Sequence, residues 1–219
     1  MRYRRRLFRR RPAVRRRRRF RRRRILRRAI TCKPGSMLCK LSKVESLSVD
    51  NNVTVAHYLS SSLNKFGEWN NMAAIFESTT IYKIVVRVQP LQNVSNNSTS
   101  TVPAYCIFPW HKPNFSQSNT FEQFLSIDKC KVFKQTQSGR MTFVPSVEVG
   151  VYKFGETTPI TDKLEWKPRI LCTGSGGDVL VRGGCVAFQG DPSMEGRKTH
   201  FNIYTDYYVK MNNQEQITG

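Results

Sequence analysis

Residues 81–90 read IYKIVVRVQP, and this stretch has the clearest alternation in the chain. The apolar residues of one parity are Tyr82, Ile84, Val86 and Val88, whereas Lys83, Arg87 and Gln89 share the other parity. Successive side chains of a β-strand point to opposite faces, so the pattern predicts a strand with one buried and one exposed face. Pro90 has no amide hydrogen for the ladder, and we expect the strand to end there.

Two further stretches alternate in the same way. In residues 199–211 the apolar parity carries Phe201, Ile203, Tyr207, Val209 and Met211, and the polar parity carries His200, Asn202, Tyr204, Asp206 and Lys210. This pattern predicts a closing strand with one exposed face, on which His200 is exposed or hydrogen-bonded. In residues 37–49 one parity carries Met37, Cys39, Leu41, Leu47 and Val49. Val44 is out of step, which predicts a bulge or a break near Lys43.

The rest of the chain supplies enough strands for a sandwich. Five more apolar runs occupy residues 102–110, 129–135, 141–154, 164–172 and 179–188, and residues 70–78 have the composition of one or two helical turns. About eight strands, little helix and no βαβ alternation predict an all-β, antiparallel, eight-stranded sandwich. A jelly roll is the commonest fold of this kind, although alternation alone fits an immunoglobulin-like sandwich too.

The first 28 residues differ from everything that follows them. Eighteen of them are arginine and none is acidic, whereas the formal charge of the whole chain is +22. The remaining residues therefore carry about +4, a nearly neutral surface. Such a segment cannot bury enough apolar area to fold alone, so we predict a disordered arm over residues 1–36 and a folded domain over residues 37–219.

The arm is the strongest functional signal. Guanidinium groups are permanently charged and fork onto phosphate oxygens, which predicts nucleic-acid binding that depends strongly on salt and hardly on sequence. Short basic clusters also act as nuclear import signals. The predicted binding and import residues are Arg2, Arg4, Arg5, Arg6, Arg9, Arg10, Arg11, Arg15, Arg16, Arg17, Arg18, Arg19, Arg21, Arg22, Arg23, Arg24, Arg27 and Arg28.

Three aromatic residues, Tyr3, Phe8 and Phe20, interleave with these arginines. Their rings could stack on unpaired bases, or they could have no binding role in a disordered tail. The sequence leaves the two interpretations equally open.

Enzymatic and metal-dependent functions are not indicated. The histidines have no metal-ligand spacing, the carboxylates are dispersed, and the six cysteines form no CxxC pair, so we expect no catalytic residue, no metal, no cofactor and reduced thiols. The glycine-rich stretch 174–177 lacks the Lys-Ser/Thr pair of a phosphate loop, and we predict a hairpin turn. No apolar run is long enough for membrane insertion.

Four segments resemble the capsid proteins of circoviruses and cycloviruses. They are the arm beginning MRYRRRLFRRR, the IYKIVVRVQPL strand, the WKPRILC segment and the closing NIYTDYYVKMNN strand. The resemblance implies a viral jelly roll, a homo-oligomeric shell of sixty copies with T=1 symmetry and a circular single-stranded DNA genome as partner. It also implies import receptors bound by the arm, a cell-surface receptor or glycosaminoglycan bound by the outer loops, and locations in the virion and the host nucleus.

The positive charge of the arm supports a packaging role, and the nearly neutral charge of the remaining chain argues against the alternative functions. Sixty arms would supply about 1,080 positive charges and sixty whole chains about 1,320, which matches a genome in the low thousands of nucleotides. The alternative is a cellular ribosomal or chromatin protein with a basic tail, but such proteins usually carry basic residues over the folded body as well. An enzyme acting on nucleic acid would need clustered carboxylates or a metal site.

Overall fold

Strands dominate the computed structural model, which describes residues 34–91, 103–112, 120–152 and 159–214. In chain order the strands are β1 (Met37–Asp50), β2 (Val55–Tyr58), β3 (Phe76–Pro90), β4 (Ala104–Pro109), β5 (Lys131–Lys134), β6 (Gly139–Phe143), β7 (Ser146–Tyr152), β8 (Pro159–Trp166), β9 (Arg169–Leu171), β10 (Gly184–Phe188) and β11 (Lys198–Gln214). Two short α-helices, α1 (Gly67–Ala73) and α2 (Phe121–Leu125), lie in the connections.

Eight of these strands form two antiparallel sheets of four. The first sheet has the order β1-β11-β3-β6, with the short β9 also paired to β3, and the second sheet has the order β2-β10-β4-β5. Strands β7 and β8 form a separate hairpin. The chain crosses repeatedly between the sheets, and its first and last strands are neighbours, which is the connectivity of a jelly roll. The predicted eight-stranded antiparallel sandwich is therefore confirmed, and the jelly roll is chosen over the immunoglobulin-like alternative.

The main hydrophobic core lies between the inner faces of the two sheets. Tyr105, Phe188 and Phe201 are at most 1% exposed, and the ring centroids of Phe188 and Phe201 are 4.6 Å apart. These rings come from β4 and β10 in one sheet and from β11 in the other, so they join the sheets directly. The predicted inward parities of β3 and β11 fill the same core.

The predicted irregularity near Lys43 is wrong. Strand β1 pairs with β11 from Met37↔Met211 to Asp50↔Lys198 without a register shift. Val44 simply points outward and is 55% exposed, while Lys43 takes the inward parity. Lys43 is tolerated there because its ammonium group contacts the Ser61 hydroxyl at 2.9 Å and the Glu45 carboxylate at 2.6 Å.

The real irregularity lies in β3. Tyr208 of β11 pairs with Lys83, but the next residue pairs with Ile81, so Tyr82 is the extra residue of a β-bulge. Ile81 is consequently fully buried, whereas Tyr82 is only half-buried. The bulge thus brings Ile81 into the core together with Ile84 although the two residues differ in parity, which the alternation did not predict.

Short elements and prolines account for other differences between the predicted and the observed secondary structure. The helix predicted over residues 70–78 is α1, and β3 already begins at Phe76; α2 and β2 were not predicted. The runs 141–154 and 164–172 each divide into two strands, next to Pro145 and Pro168. Residues Gly174–Asp178 form a 3-10 helix instead of a hairpin turn, because β9 and β10 belong to different sheets.

Candidate nucleic-acid interface

The predicted binding and import arginines, from Arg2 to Arg28, lie outside the described residues, as do Tyr3, Phe8 and Phe20. Their roles therefore stay predictions. The described strands begin at Met37, and they provide a second set of basic and aromatic side chains. Sequence reasoning did not assemble this second set into one surface.

The outward side chains of the first sheet and of β9 form a surface that we call the basic face. Register and alternation place seven basic residues on it, which are Lys40, Lys83, Arg87, Arg140, Arg169, Lys198 and Lys210. Asp50 and Asp206 are acidic residues on the same side of these strands, and a third carboxylate, Glu77 of β3, lies 3.7 Å from an Arg169 guanidinium nitrogen. Tyr204 and Tyr208 lie half-buried along its central strand, β11.

Two rows of side chains organise the basic face. In one row Lys83 lies across from Tyr208, with its ammonium nitrogen 4.0 Å from the ring centroid. In the other row Arg87 lies across from Tyr204, with its guanidinium carbon 5.4 Å from the ring centroid. Cation–π attraction holds both cations close to the sheet.

Asp206 anchors the centre of the basic face. Its side chain is only 8% exposed, and its carboxylate oxygens lie 3.5 Å from the Lys40 ammonium and 3.2 Å from an Arg87 guanidinium nitrogen. The Ser42 hydroxyl donates a third contact at 2.8 Å. One buried carboxylate thus positions two cations, each about half exposed, and the basic excess of the face remains.

A small cavity lies at the end of the basic face. It measures about 220 Å³ and is lined by Ser36, Thr80, Arg169, Lys210, Asn212 and Asn213. Two basic side chains and two amides are among the lining residues, although Arg169 and Asn213 also contact the Glu77 carboxylate and the Asn212 amide donates to Thr80.

The outer face of the second sheet is built differently, because α2 covers it. Phe124 of α2 stacks on Phe108 of β4 with ring centroids 5.5 Å apart. Cys106, Cys185 and Ala187 complete this smaller apolar cluster. Burial raises the pKa of the Cys106 and Cys185 thiols well above the ordinary value. All five cysteines in the described part of the chain are free thiols, and Cys32 lies outside it.

The described residues contain no cluster of His, Cys, Asp or Glu that could hold a metal ion. Nor does any helix in this part of the chain have the length and apolar character to cross a bilayer. His200 is exposed on β11, as predicted from its parity. His57 and His111 instead sit in partly buried surroundings.

His57 belongs to a charged cluster at the edge of the sandwich. Its Nε2 atom lies 3.6 Å from the Glu45 carboxylate, which also contacts Lys43. Burial lowers the pKa of His57, and the Glu45 charge only partly offsets this effect. For Glu45, burial acts to raise the pKa, but the hydrogen bond and charge of Lys43 outweigh it, so that the pKa lies below its ordinary value.

We expect the unassembled protein to lose stability as the pH falls below about 6.5, the ordinary histidine value. Burial lowers the pKa of both His57 and His111, so the unfolded chain takes up protons first and stability declines until the lower folded pKa is passed. Urea midpoints between pH 8 and 5 should show this decline, and His57→Gln should reduce it. His200→Gln, at an exposed position, is the matched control. An unchanged pH profile in His57→Gln would contradict the prediction.

The fold is shared with solved viral capsid proteins. A 60-mer BFDV capsid protein superposes with a TM-score of 0.62 at 12% identity, covering 84% of this chain and 97% of that chain. A decameric BFDV capsid protein gives 0.54 at 12% identity over 81% and 99% of the two chains. Cucumber necrosis virus gives 0.53 at 12% identity over 84% and 58%. At these identities the likeness establishes the fold, which is that of a viral jelly-roll coat protein.

Sequence comparison assigns the family within that class. The capsid protein of human associated cyclovirus 1 (isolate Homo sapiens/Pakistan/PK5510/2007) is 38% identical over 185 residues, which cover 82% of this chain and 83% of that protein. Residues 2–215 match the circovirus capsid protein family, and the chain belongs to that family. It is thus a structural capsid protein and not an enzyme, and the resemblance seen in its sequence is confirmed.

Proposed function

We propose that this capsid protein assembles into a closed T=1 shell of sixty copies and packages a circular single-stranded DNA genome through its arginine-rich arm. The observation that carries the proposal is the combination of a jelly-roll domain with eighteen arginines in the 28 residues at the start of the chain. A cellular nucleic-acid binder with a basic tail has no need of this fold.

The shell is proposed to form through the folded domain. Several large apolar side chains of the described residues remain exposed, including Val132 at 55%, Val149 at 42% and Trp166 at 52%. Trp166 lies on β8 and packs edge-on against His111, with centroids 4.6 Å apart. These side chains are proposed to contact further copies of the chain, where their apolar area would be buried.

The arm is proposed to serve twice, first as an import signal and then as the genome-binding element. In the first role its arginine clusters bind import receptors and carry the protein into the host nucleus. Inside the shell the same arginines neutralise phosphates. Attachment to a cell-surface receptor or glycosaminoglycan is assigned to the outer loops, and the virion is the final location.

Electron microscopy of purified protein tests the shell. We expect closed, uniform particles from the full chain, and also from residues 37–219 at suitable ionic strength, because every described strand follows residue 36. The full chain with its arm is the matched control for the shortened form. Dispersed, folded monomers of the full chain under all conditions would contradict the proposed shell. Particles from the full chain alone would show that the arm is structural.

A further inference from the structure

We infer that the basic face is a second contact surface for single-stranded nucleic acid, alongside the arm. The inference rests on the proposed packaging function and extends it to the folded domain. It is carried by the way in which strand order collects basic and aromatic side chains that are far apart in the sequence.

The distribution of charge is the first argument. The residues after the arm sum to a nearly neutral body, yet seven basic residues share one side of the first sheet and β9 with two acidic residues, and only one further carboxylate, Glu77, contacts a member of this set on the described strands. The small net charge of the residues after the arm is therefore a sum in which this basic surface is balanced by acidic residues elsewhere. A surface with this excess attracts phosphate and repels a second copy of itself, which favours a polyanion over a symmetric contact between copies.

The arrangement of the two rows is the second argument. Arg140 lies across from Arg87, which in turn lies across from Tyr204; four residues along β3, Lys83 lies across from Tyr208 and Tyr208 from Lys40. Four residues of a strand span about 13 Å, so the two rows are separate groups of side chains, each with cations beside an aromatic ring. Proteins bind single-stranded nucleic acid with aromatic rings and guanidinium groups, on which the bases stack, and with cationic groups, which pair with the phosphates.

The openness of the face is the third argument. The outer face of the second sheet is closed by α2, but no described element lies over Lys83, Arg87 or Arg140, all of which are exposed. Tyr204 and Tyr208 are half-buried, so they are held in place and still accessible.

The charge test uses the full chain in which Arg15 through Arg19 and Arg21 through Arg24 are Gln, so that the arm does not mask the face. In this background we compare Lys83→Gln/Arg87→Gln/Arg140→Gln with Lys131→Gln/Lys134→Gln/Lys163→Gln, a control of equal charge with three exposed lysines outside the basic face. The probe is labelled oligo(dT) in fluorescence anisotropy. The face variant should lower the slope of log K against log salt by about 2, or about 0.7 for each of three contacts.

The outcomes separate this inference from the proposed function. Equal slopes in the face variant and its control would overturn the inference. A change in sedimentation without a change in slope would also overturn it, because this result would assign the face to contacts between copies. Neither result touches packaging by the arm, which is judged from the arm variant against the parent chain.

The rings are tested separately. Tyr204→Leu and Tyr208→Leu should each weaken oligo(dT) binding by about fivefold or more, because one stacked base is lost. Binding of inorganic polyphosphate, which has no bases, should be unchanged in both variants. Circular dichroism verifies that the variants fold. Equal losses for both probes, or a loss for neither, would overturn base stacking on this face.

Discussion

Shells whose arms carry Gln in place of Arg15 through Arg19 and Arg21 through Arg24 are expected to contain about half the nucleic acid of the parent, or less. The change removes nine positive charges per chain, about 540 in a sixty-copy shell, and with them half of the arm's capacity to neutralise phosphate. The salt slope of single-strand binding should fall by about 6 if all nine arginines contact phosphates. The ultraviolet absorbance ratio of purified particles measures the packaged nucleic acid.

Lys in place of Arg at the same nine positions is the matched control, since it keeps the charge and loses only the bidentate fork. This variant should retain most of the packaging if bulk charge is decisive. Both variants should still form shells, because the folded surface is unchanged. Packaging by the Gln variant at the level of the parent would show that the arm is not the genome-binding element.

Phe201→Ala is expected to lower the free energy of unfolding by about 3–5 kcal/mol. Phe201 is fully buried in β11, and its ring contacts those of Phe188 and Tyr105 with centroid distances of 4.6 and 5.8 Å. Truncation leaves a cavity where the two sheets meet, and close-packed neighbours refill it only partly. Urea denaturation of unassembled protein gives the difference directly.

Val132→Ala is the matched control for this change, because Val132 is an apolar strand residue that is 55% exposed. Its effect should stay within about 0.5 kcal/mol. A loss below about 1 kcal/mol in Phe201→Ala would mean that the contact between the sheets contributes less than its burial indicates.

Alternation predicted the long strands well because one face of each is buried along most of its length. Strand β11 shows this best, since Phe201, Ile203 and Tyr207 are each fully buried as their parity predicts. The failures have two physical origins. Elements of four or five residues, such as β2 and α2, are stabilised by tertiary contacts instead of by their own pattern. Lys43 points inward because its ammonium group contacts the neighbouring Glu45 carboxylate and the hydroxyl of Ser61. Local alternation cannot predict the contact with Ser61, which lies 18 residues further along the chain.

The candidate interface was predictable only in part. The arm stands out in the sequence because its composition has no structural explanation in a folded element. The basic face does not, because Arg140 and Tyr204 become members of one row only through the pairing of β6 with β3 and of β3 with β11. Strand order in a sheet is a long-range property that local periodicity does not encode.

The pairing of β1 with β11 has a consequence for synthesis on the ribosome. Met37, where β1 begins, pairs with Met211, which follows it by 174 residues in the chain. Contacts of such large sequence separation raise the contact order and slow folding, because loop closure must precede them. The first sheet therefore closes only after β11 has left the ribosome. A chain that terminates before β11 lacks the strand between β1 and β3, and we expect it to be excluded from assembly at the level of the monomer.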